Sequence, residues 1–419
     1  MIQEFLDDPE ISEKVVDRKI DAKVDEIPKI LKKFKSKTLL INTEKGRVIA
    51  NLCAKRNKIK NLWNITHRTL LDAVENPKKS RVTTHGKVKE NIIKEESINL
   101  NKIPISKYYN NGAGKYITTG VLVAKDPEYG RNISFHRMLV LGKDKLTARL
   151  VENRDTYTYY NRALERGEEL EVAICIGLHP AVLFGAATSV DIRRDELEIA
   201  SALMNDIDGG LNLIKCETVD LEVPDAEFVL EGTITGETAP EGPFVDITGT
   251  YDFIREQPII KLNSIMHRDD PIYHSLLPAS PEHLILMGMP RESTMLGEVK
   301  KVCNVSDLCL TEGGSGWLHS AISINKKSDD DAKKAINAAF IGHKSLKHVV
   351  IVDDDINIHD PSEIEWAIAT RFQADKGLVL IKDAKGSSLD PSSRKGRTAK
   401  MGLDATKPIG REEFDKVLD

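Results

Sequence analysis

One stretch decides the fold of this chain: Phe228-Val-Leu-Glu-Gly-Thr-Ile-Thr-Gly-Glu-Thr-Ala-Pro-Glu-Gly-Pro-Phe-Val-Asp246. Its first part, residues 228–235, is extended in character and predicts a strand. Glu241 and Asp246 lie five apart, so on a straight strand their side chains would face opposite ways. Gly242 and Pro243 stand between them and allow the backbone to turn. The stretch therefore predicts a strand that leads into a turn able to bring two carboxylates to one pocket.

The two carboxylates of this turn fit two interpretations. In a pocket of low dielectric they would titrate as a coupled pair, with one of them protonated near neutrality. A carboxyl group in that state is suited to deliver a proton as a general acid. The alternative is a surface turn whose Glu and Asp are solvated. The pattern alone leaves both open, so other parts of the chain have to decide.

Further extended runs fill the chain from Tyr116 to Asp270. They cover residues 117–124, 132–140, 146–152, 170–176 and 228–235. Because Gly, Asp and Asn turns separate them, these runs predict a mainly β domain, either a sandwich or a barrel. Two helices are predicted to interrupt it, at residues 156–167 and 194–205.

The regions on either side of this β-rich middle differ from it. The first hundred residues mix helical spacing with a predicted hairpin, whose strands are 38–41 and 47–52. In the last third, predicted helices at 332–340 and 361–372 alternate with predicted strands at 348–352 and 378–381, which is βαβ spacing. We therefore predict a multidomain α+β and α/β fold: an N-terminal α/β domain over residues 1–105, a central β-barrel domain over 106–290 and a C-terminal α/β domain over 291–419.

Composition limits the function classes. The chain has 419 residues, 40% of them hydrophobic, which is enough for sizeable cores. Its 65 acidic and 60 basic residues give a net charge of −5, which provides no general attraction for nucleic acid or an anionic membrane. The five cysteines form no CxxC pair, and no apolar run approaches a membrane span. We expect a cytoplasmic protein with a small-molecule ligand and with neither nucleic-acid nor membrane partners.

Glu196 lies where an apolar residue is expected. It shares a helical stripe with Ile199, Ala200 and Leu203. Burying its charge without a partner would be strongly unfavourable, so it should meet an Arg, a metal ion or a proton. The alternative is a position at the edge of the stripe, from which the carboxylate reaches water.

The run Asn132-Ile-Ser-Phe-His-Arg137 places polar residues along a predicted strand. Asn132, Ser134 and His136 share one face, and Arg137 points to the other unless a bulge intervenes. Two interpretations are open for each of the last two residues. His136 is either functional or a hydrogen-bonded core histidine, and Arg137 is either functional or part of a structural ion pair.

Two other segments suggest phosphate chemistry. Asp353-Asp-Asp355 follows a predicted strand at its carboxyl end, where α/β folds often bind ligands, so a Mg²⁺-phosphate site competes with an acidic turn before a helix. Gly313-Gly-Ser-Gly316 lacks the spacing and the Lys-Ser/Thr ending of a P-loop, and we interpret it as a flexible turn.

Taken together, these motifs resemble the UbiD family of decarboxylases, which use prenylated flavin mononucleotide (FMN). The matching segments are Asn132–Arg137, Asp195–Leu203, Lys215–Pro224, Glu231–Gly232, Glu241–Asp246, His267–His274, Val350–Asn357 and Lys400–Thr406. They follow the order of the family from about residue 110 to 407. The resemblance implies that the central domain is a split β-barrel that binds the flavin.

By motif position, the resemblance implies a catalytic trio of Arg137, Glu241 and Asp246. Arg137 would orient the substrate carboxylate, and Glu241 would pair with this arginine. Asp246 would donate and accept the proton. The family often has Glu in this last place, so the acid is shorter here.

The resemblance also implies how the cofactors are held. Asn132 and Glu196 match positions that bind a divalent metal, usually Mn²⁺ (or Mg²⁺), which bridges to the flavin phosphate, with K⁺ nearby. Asp155 would be the third metal ligand, in place of a histidine found in some members. Oxygen ligands suit such a hard cation. The other implied cofactor-binding residues are Ser134, Phe135, His136, Arg137, Arg154, Ala186, Ala187, Thr188 and Lys400.

The implied activity is that of a non-oxidative carboxy-lyase. The segment Asn111–Thr118 and this version of the Arg137 motif look like the archaeal branch, which favours trans-anhydromevalonate phosphate as substrate and isopentenyl phosphate as product. An aromatic acid, such as a hydroxybenzoate or a polyprenyl-hydroxybenzoate, is the alternative within the family. The implied partners are a UbiX-type flavin prenyltransferase and further copies of the chain, in dimers to hexamers. A non-catalytic flavin-binding protein and a Mg²⁺-dependent phosphoryl-transfer enzyme that uses Asp353–Asp355 are alternatives of other classes.

Overall fold

The computed structural model describes residues 1–204, 210–415 and 417. It divides into two compact units. The first comprises Met1–Val245 and Tyr251–Leu286, and the second comprises Asp246–Thr250 and the chain from Met287 onward. The chain therefore has the mixed α/β, multidomain fold expected from the sequence, and each unit contains both helices and strands.

The helices are α1 Ile2–Asp7, α2 Pro9–Val15, α3 Ile27–Lys33, α4 Arg56–Trp63, α5 His67–Glu75, α6 Asp155–Glu165, α7 Pro180–Ala187, α8 Glu196–Leu203, α9 Pro281–Val299, α10 Asp331–Gly342, α11 Pro361–Arg371 and α12 Ala374–Gly377. Short 3-10 helices cover Val24–Glu26, Lys87–Glu90, Glu95–Ser97, Leu100–Lys102 and Glu412–Phe414. The helices predicted at 156–167 and 194–205 correspond to α6 and α8. Asn205, the predicted end of the second of these, lies outside the described residues.

The strands of the first unit are β1 Arg18–Asp21, β2 Leu39–Thr43, β3 Gly46–Ala50, β4 Arg81–Thr83, β5 Asn91–Lys94, β6 Tyr116–Ile117, β7 Val121–Asp126, β8 Gly130–Phe135, β9 Met138–Val140, β10 Lys145–Ala148, β11 Leu170–Ile176, β12 Asn212–Lys215, β13 Glu222–Pro224, β14 Phe228–Glu241, β15 Phe244–Val245, β16 Tyr251–Asp252, β17 Arg255–His267 and β18 Ile272–Ser275. Those of the second unit are β19 Asn304–Leu310, β20 His319–Asn325, β21 His348–Asp353, β22 Leu378–Lys385 and β23 Arg397–Asp404.

A nine-stranded sheet organises the described part of the first unit. Eight strands follow the order β6-β9-β10-β17-β14-β11-β7-β8, and β5 pairs with β17 outside this path. Its longest pair, β14 with β17, runs from Phe228↔His267 to Glu241↔Arg255 and is antiparallel, with an irregularity at Glu231/Gly232. A side chain at Gly232 would place its Cβ atom 2.1 Å from the carbonyl oxygen of Lys261, so only glycine fits here. The extended run at 228–235 is therefore a strand, and it is longer than predicted.

A smaller four-stranded sheet, in the order β1-β2-β3-β18, lies in the same unit. The predicted hairpin is confirmed, because β2 pairs antiparallel with β3. β18, from residues 272–275, adds to β3 in parallel. Leu39 and Ile41 of this sheet share one buried core with Leu230 and Ile260 of the large sheet. The boundary at residue 105 stays a prediction, and strand pairing and core packing both cross it.

The second unit contains a five-stranded sheet in the order β19-β20-β21-β23-β22. β20, α10 and β21 form a parallel βαβ unit, with Ile322 opposite Ile351. The predicted unit, which joined the strands at 348–352 and 378–381, was wrong. β23 lies between these two strands, parallel to β21 and antiparallel to β22. Lys400–Thr406 had been noted as a motif and not as a strand, so the insertion of β23 was missed.

Candidate active site

A break between two strands positions Arg137. β8 ends at Phe135 and β9 begins at Met138, and the backbone N–H of His136 donates to the carbonyl of Gly120 at 3.2 Å. The run 132–140 had been predicted as one strand, and the break frees Arg137 from strict alternation. Its Nε and Nη2 atoms donate to Oε1 and Oε2 of Glu241 at 3.0 and 2.9 Å. Glu241, the last residue of β14, therefore forms a bidentate ion pair with Arg137.

The pair is buried and its geometry is supported from both sides. Glu241 is 0% exposed and the Arg137 side chain is 10% exposed. The hydroxyl of Tyr116 donates to Glu241 Oε1 at 3.0 Å, and the guanidinium of Arg137 lies 4.6 Å from the ring centroid of Phe244. Burial and the neighbouring Glu241 charge raise the pKa of Tyr116, so the phenol stays protonated and remains a donor. The orientation of Glu241 is therefore fixed by three hydrogen bonds.

Asp252, on β16, is a second carboxylate at Arg137. Its Oδ2 accepts from Arg137 Nη2 at 2.9 Å and lies 2.8 Å from Arg255 Nη1. Burial opposes the ionisation of Asp252, but the hydrogen bond from Arg255 and the charge of Arg137 outweigh it and lower the pKa. An ionised Asp252 thus links two arginines beside Glu241.

The turn after Glu241 has the geometry that its glycine and proline predict. Gly242 has a φ of +102°, and the Gly242–Pro243 peptide bond is cis. A Cβ atom on Gly242 would lie 2.9 Å from the carbonyl oxygen of Phe253. Only glycine therefore allows the two short strands β15 and β16 to close over this turn.

A second polar cluster surrounds Glu196, at the first turn of α8. Glu196 is 3% exposed, and its carboxylate accepts from Asn132 Nδ2 and from the backbone N–H of Ile133, both at 3.0 Å. Asn132 Oδ1 accepts in turn from the hydroxyls of Ser134 and Thr156 at 3.2 Å. Burial raises the pKa of Glu196 to about 8, although the backbone hydrogen bond from Ile133 opposes this. Glu196 is therefore buried on the apolar stripe of its helix, and its carboxylate accepts hydrogen bonds from the side-chain amide of Asn132 and the backbone amide of Ile133.

His136 belongs to the same hydrogen-bonded cluster as Glu196 and Asn132, through Ser134 and Thr156. Its Nδ1 lies 3.0 Å from the carbonyl oxygen of Arg149, which can only accept, so Nδ1 carries the proton. Nε2 is then the acceptor, 3.1 Å from Ser134 Oγ and 3.2 Å from Thr156 Oγ1. Burial lowers the pKa of His136, which keeps the ring neutral.

Asp155 and Arg154 lie at the start of α6. Asp155 is its first residue, and burial raises the pKa of this carboxyl. The charge of Asp155 is also one cause of the raised pKa of Glu196, so the two predicted metal ligands are close enough to repel each other. Arg154 precedes the helix and is exposed.

α7 packs closely on α8 and ends with Ala186 and Ala187, and Thr188 follows as its C-cap. A Cβ atom on Gly185 would lie 3.0 Å from the carbonyl oxygen of Glu196, so glycine allows this approach. The hydroxyl of Thr188 donates to the carbonyl of Phe184 at 2.8 Å. This segment is therefore fixed next to the first turn of α8.

Two predicted site residues belong to the second unit. Asp246 is half-buried, and its Oδ1 accepts from the backbone N–H of Ile247 at 2.7 Å. Lys400 is 5% exposed, its Nζ donates to the carbonyl of Lys344 at 2.7 Å, and burial lowers its pKa. Their roles toward the residues of the first unit stay predictions.

The carboxylates of the Asp353–Asp355 segment are paired with side chains of the same unit. Arg371 Nη1 donates to Asp353 Oδ2 at 3.1 Å, and Arg371 contacts both oxygens of Asp355 at 2.8 and 2.6 Å. Asp354 accepts from Asn325 Nδ2 at 2.9 Å. No three His, Cys, Asp or Glu side chains form a metal-binding group among the residues that the structure describes. The phosphoryl-transfer alternative therefore lacks a metal site at these aspartates.

Asp252 and Tyr116 were missed as candidate site residues. Tyr116 lies within the quoted motif Asn111–Thr118, and this was the signal that could have drawn attention to it. Asp252 is seventeen positions from Thr235, the nearest residue of a predicted strand, and has no motif of its own. Only the pairing of β15 with β16, Phe244 opposite Asp252, brings it to Arg137.

Two family profiles match most of the chain. Residues 80–281 match the 3-octaprenyl-4-hydroxybenzoate carboxy-lyase Rift-related domain, and residues 284–405 match the corresponding C-terminal domain. The chain belongs to the UbiD family. No helix among the described residues of this UbiD-family protein is long and apolar enough to cross a membrane.

Named relatives match this UbiD-family chain over almost its whole length. A protein of Methanocaldococcus jannaschii named anhydromevalonate phosphate decarboxylase is 46% identical over 401 residues, which are 93% of this chain and 94% of the relative. A protein of the same name from Methanothermobacter thermautotrophicus is 46% identical over 88% of each chain.

Solved structures show the same architecture. The UbiD-class enzyme HmfF of Pelotomaculum thermopropionicum, in complex with FMN, has a TM-score of 0.94 and 39% identity, covering 100% of this chain and 97% of HmfF. An evolved dimeric form of HmfF, in complex with prenylated FMN, has a TM-score of 0.90 and 37% identity over 100% and 96% of the two chains.

Proposed function

We propose that this chain is a prenylated-FMN-dependent carboxy-lyase that converts trans-anhydromevalonate phosphate to isopentenyl phosphate. One observation carries the proposal: the buried bidentate pair of Arg137 and Glu241 lies in a chain whose relatives bear this decarboxylase name over more than nine tenths of its length. A decarboxylase needs a fixed cation for the substrate carboxylate and a proton donor for the product, and we assign these two tasks to Arg137 and Asp246.

Each residue has a distinct task in the proposed reaction. Arg137 binds and orients the substrate carboxylate, Glu241 holds Arg137, and Tyr116 holds Glu241. When bound, prenylated FMN supplies the electron sink that breaking a bond at an unsaturated carbon requires. The bond to the carboxyl group breaks and CO₂ leaves. Asp246 then delivers a proton to the carbon that lost CO₂, and a later proton from water restores the acid.

The test of this function uses protein co-produced with a flavin prenyltransferase. CO₂ release is measured with trans-anhydromevalonate phosphate, and in parallel with hydroxybenzoates. Turnover of the phosphorylated acid supports the proposal. Turnover of an aromatic acid alone would keep the assigned residue roles but show that the substrate is an aromatic acid. Bound flavin without any turnover would favour a non-catalytic flavin-binding protein.

The residues around Glu196 fit a divalent cation. Glu196 is a buried carboxylate whose pKa is raised to about 8, so near neutrality its negative charge is poorly stabilised by the protein alone. Asp155 adds a second carboxyl group close by, and Asn132 adds an amide oxygen. We propose that Glu196, Asp155 and the amide oxygen of Asn132 would hold Mn²⁺ or Mg²⁺, whose charge would offset that of the two carboxylates. Oxygen-rich sites of this kind suit hard cations.

Glu196→Gln provides a test of the cation site that is independent of activity. Without a cation, the folded-state pKa of about 8 lies above the ordinary value of 4.5, so ionisation disfavours the folded state. The stability of the cation-free wild type should therefore fall as the pH rises between these two values. The Gln variant should lack this contribution. Near pH 8, Mn²⁺ should raise the melting temperature of the wild type and not that of the variant, as measured by calorimetry.

A matched control for this experiment is Glu198→Gln, a change of the same type in the same helical turn outside the proposed ligand set. It should keep both the pH dependence and the Mn²⁺ response. An equal Mn²⁺ response in Glu196→Gln and the wild type would contradict the assignment.

Further features of the family are proposals for this chain. We infer that the nine-stranded sheet is the split barrel that receives the flavin, with Ser134, Phe135, His136, Arg154, the segment Ala186–Thr188 and Lys400 as cofactor contacts. A K⁺ ion beside the divalent cation, a UbiX-type prenyltransferase as cofactor supplier, a cytoplasmic location and assembly into dimers to hexamers remain parts of the same proposal.

A further inference from the structure

Asp252 is a second carboxylate on a guanidinium that already has one. Nη2 of Arg137 contacts Glu241 Oε2 and Asp252 Oδ2, each at 2.9 Å. Because both oxygens contact the same nitrogen, the two carboxylates lie within the range at which like charges repel each other. The side chain of Asp252 is 10% exposed, so solvent screens this repulsion poorly. The arrangement therefore has an electrostatic cost that a single carboxylate would avoid.

The orientation of Arg137 is already fixed without Asp252. Glu241 binds its Nε and Nη2 atoms in a bidentate pair, and the ring of Phe244 lies against the guanidinium. The backbone of Asp252 is held separately, by the pairing of β15 with β16, and its Oδ1 accepts from the backbone N–H of Phe253 at 2.8 Å. The contact between Asp252 and Arg137 therefore calls for an explanation other than support of the fold.

Arg255 shares the negative charge of Asp252 with Arg137. Arg255 is directly opposite Glu241 in the β14–β17 ladder, so the two side chains project to the same face of the sheet. Its Nη1 lies 2.8 Å from Asp252 Oδ2. Although burial opposes ionisation, the hydrogen bond from Arg255 and the charge of Arg137 lower the pKa of Asp252. One ionised carboxylate thus offsets part of the charge of two arginines.

The charge of Arg137 affects the rate of the proposed reaction as well as substrate binding. The substrate carboxylate is an anion when it binds. When its bond to the neighbouring carbon breaks, the electron pair stays on that carbon and the carboxylate becomes neutral CO₂. A positive charge beside the carboxylate therefore stabilises the bound substrate more than the transition state, so it strengthens binding and lowers kcat.

We propose that Asp252 is a positioning residue that offsets part of the positive charge of Arg137, so that this arginine orients the substrate carboxylate without strongly slowing its loss as CO₂. The inference rests on the proposed function and adds a residue outside the trio of Arg137, Glu241 and Asp246. Asp252 acts through Arg137, and its effect is to weaken binding of the carboxylate and to raise kcat.

The test compares Asp252→Asn with Asp25→Asn in flavin-loaded protein. Asn keeps the shape of the side chain and an acceptor oxygen for the arginines, but it removes the negative charge. Asp25 is an exposed aspartate of the same unit, so its variant makes the same chemical change away from the site. kcat is measured with trans-anhydromevalonate phosphate. Titration calorimetry gives the dissociation constants of isopentenyl phosphate, which lacks the carboxylate, and of the saturated analogue of the substrate, which keeps both anionic groups but has no double bond.

The expected result is tighter binding together with slower turnover. Asp252→Asn should lower the dissociation constant of the saturated analogue roughly 3- to 10-fold and lower kcat roughly 10-fold, because Arg137 then acts on the carboxylate with its full charge. The dissociation constant of isopentenyl phosphate should change less. Asp252→Glu, which keeps the charge, should restore much of kcat, and Asp25→Asn should behave as wild type.

Arg255→Gln provides a prediction of the opposite sign, which also holds if Asp252→Asn fails to fold. Without Arg255, the charge of Asp252 acts on Arg137 alone. The saturated analogue should therefore bind more weakly than to the wild type, while kcat should not fall.

Three results would contradict these expectations. An Asp252→Asn variant that binds the saturated analogue no more tightly than the wild type, or whose kcat does not fall, would overturn the inference and leave the proposed function intact. Weaker binding of both the analogue and isopentenyl phosphate would show that Asp252 only supports the fold of the site. Absence of turnover of the phosphorylated acid by the wild-type holoenzyme would overturn the proposed function, and the inference with it.

Discussion

Asp246→Asn is expected to reduce turnover about 10²- to 10⁴-fold, the contribution of a positioned general acid. The proposed reaction leaves an electron pair on carbon when CO₂ departs, and Asp246 is the residue to which we assign the proton. Asn has nearly the same shape but no transferable proton. Its side-chain oxygen can still accept from the backbone N–H of Ile247, so the fold and the flavin content should be unchanged.

Two measurements separate this role from a structural one. CO₂ release reports the whole reaction, and incorporation of deuterium from D₂O into the product reports protonation itself, so both should fall together. Asp246→Glu should restore much of the activity, because the longer acid is the residue often found in the family. Asp354→Asn, the same change at an exposed aspartate of the same unit, should leave turnover unchanged. Full activity of Asp246→Asn would remove the assigned role.

The sequence was sufficient to predict elements whose signal is local. The strand at 170–176 and the hairpin of β2 and β3 were predicted because alternation and turn residues specify them directly. The place of Glu196 on an apolar stripe was identified for a similar reason, since a helical stripe is a local periodicity, and of the two alternatives left open there the structure shows the buried one.

Features that depend on distant pairing could not be predicted in this way. β18 adds to β3 across more than two hundred residues, and β23 inserts between β21 and β22. Asp252 reaches Arg137 only through the pairing of β15 with β16 and through the tight turn at Gly242. The backbone hydrogen bond from Arg149 to Arg137 likewise follows from the register of a hairpin and not from spacing along the chain.

Arg137→Met is expected to lower the free energy of unfolding by about 3–5 kcal/mol, the usual cost of removing one partner from a buried ion pair. Glu241 is 0% exposed and, among the residues that the structure describes, would keep only the Tyr116 hydroxyl as a side-chain partner, whereas Asp252 would keep Arg255. The unfavourable charge therefore resides mainly on Glu241. Denaturant unfolding of Arg137→Met and of the wild type measures this deficit.

The double variant Arg137→Met/Glu241→Gln separates the stability of the pair from its function. Gln removes the unpaired charge but can still accept the Tyr116 hydrogen bond, so most of the lost stability should return. Turnover should stay absent in both variants, because neither retains the cation that orients the substrate carboxylate. Denaturant unfolding, with CO₂ release measured on the same samples, makes the comparison. A double variant no more stable than Arg137→Met would show that the deficit arises from lost packing of Arg137 on Phe244, and not from the charge left on Glu241.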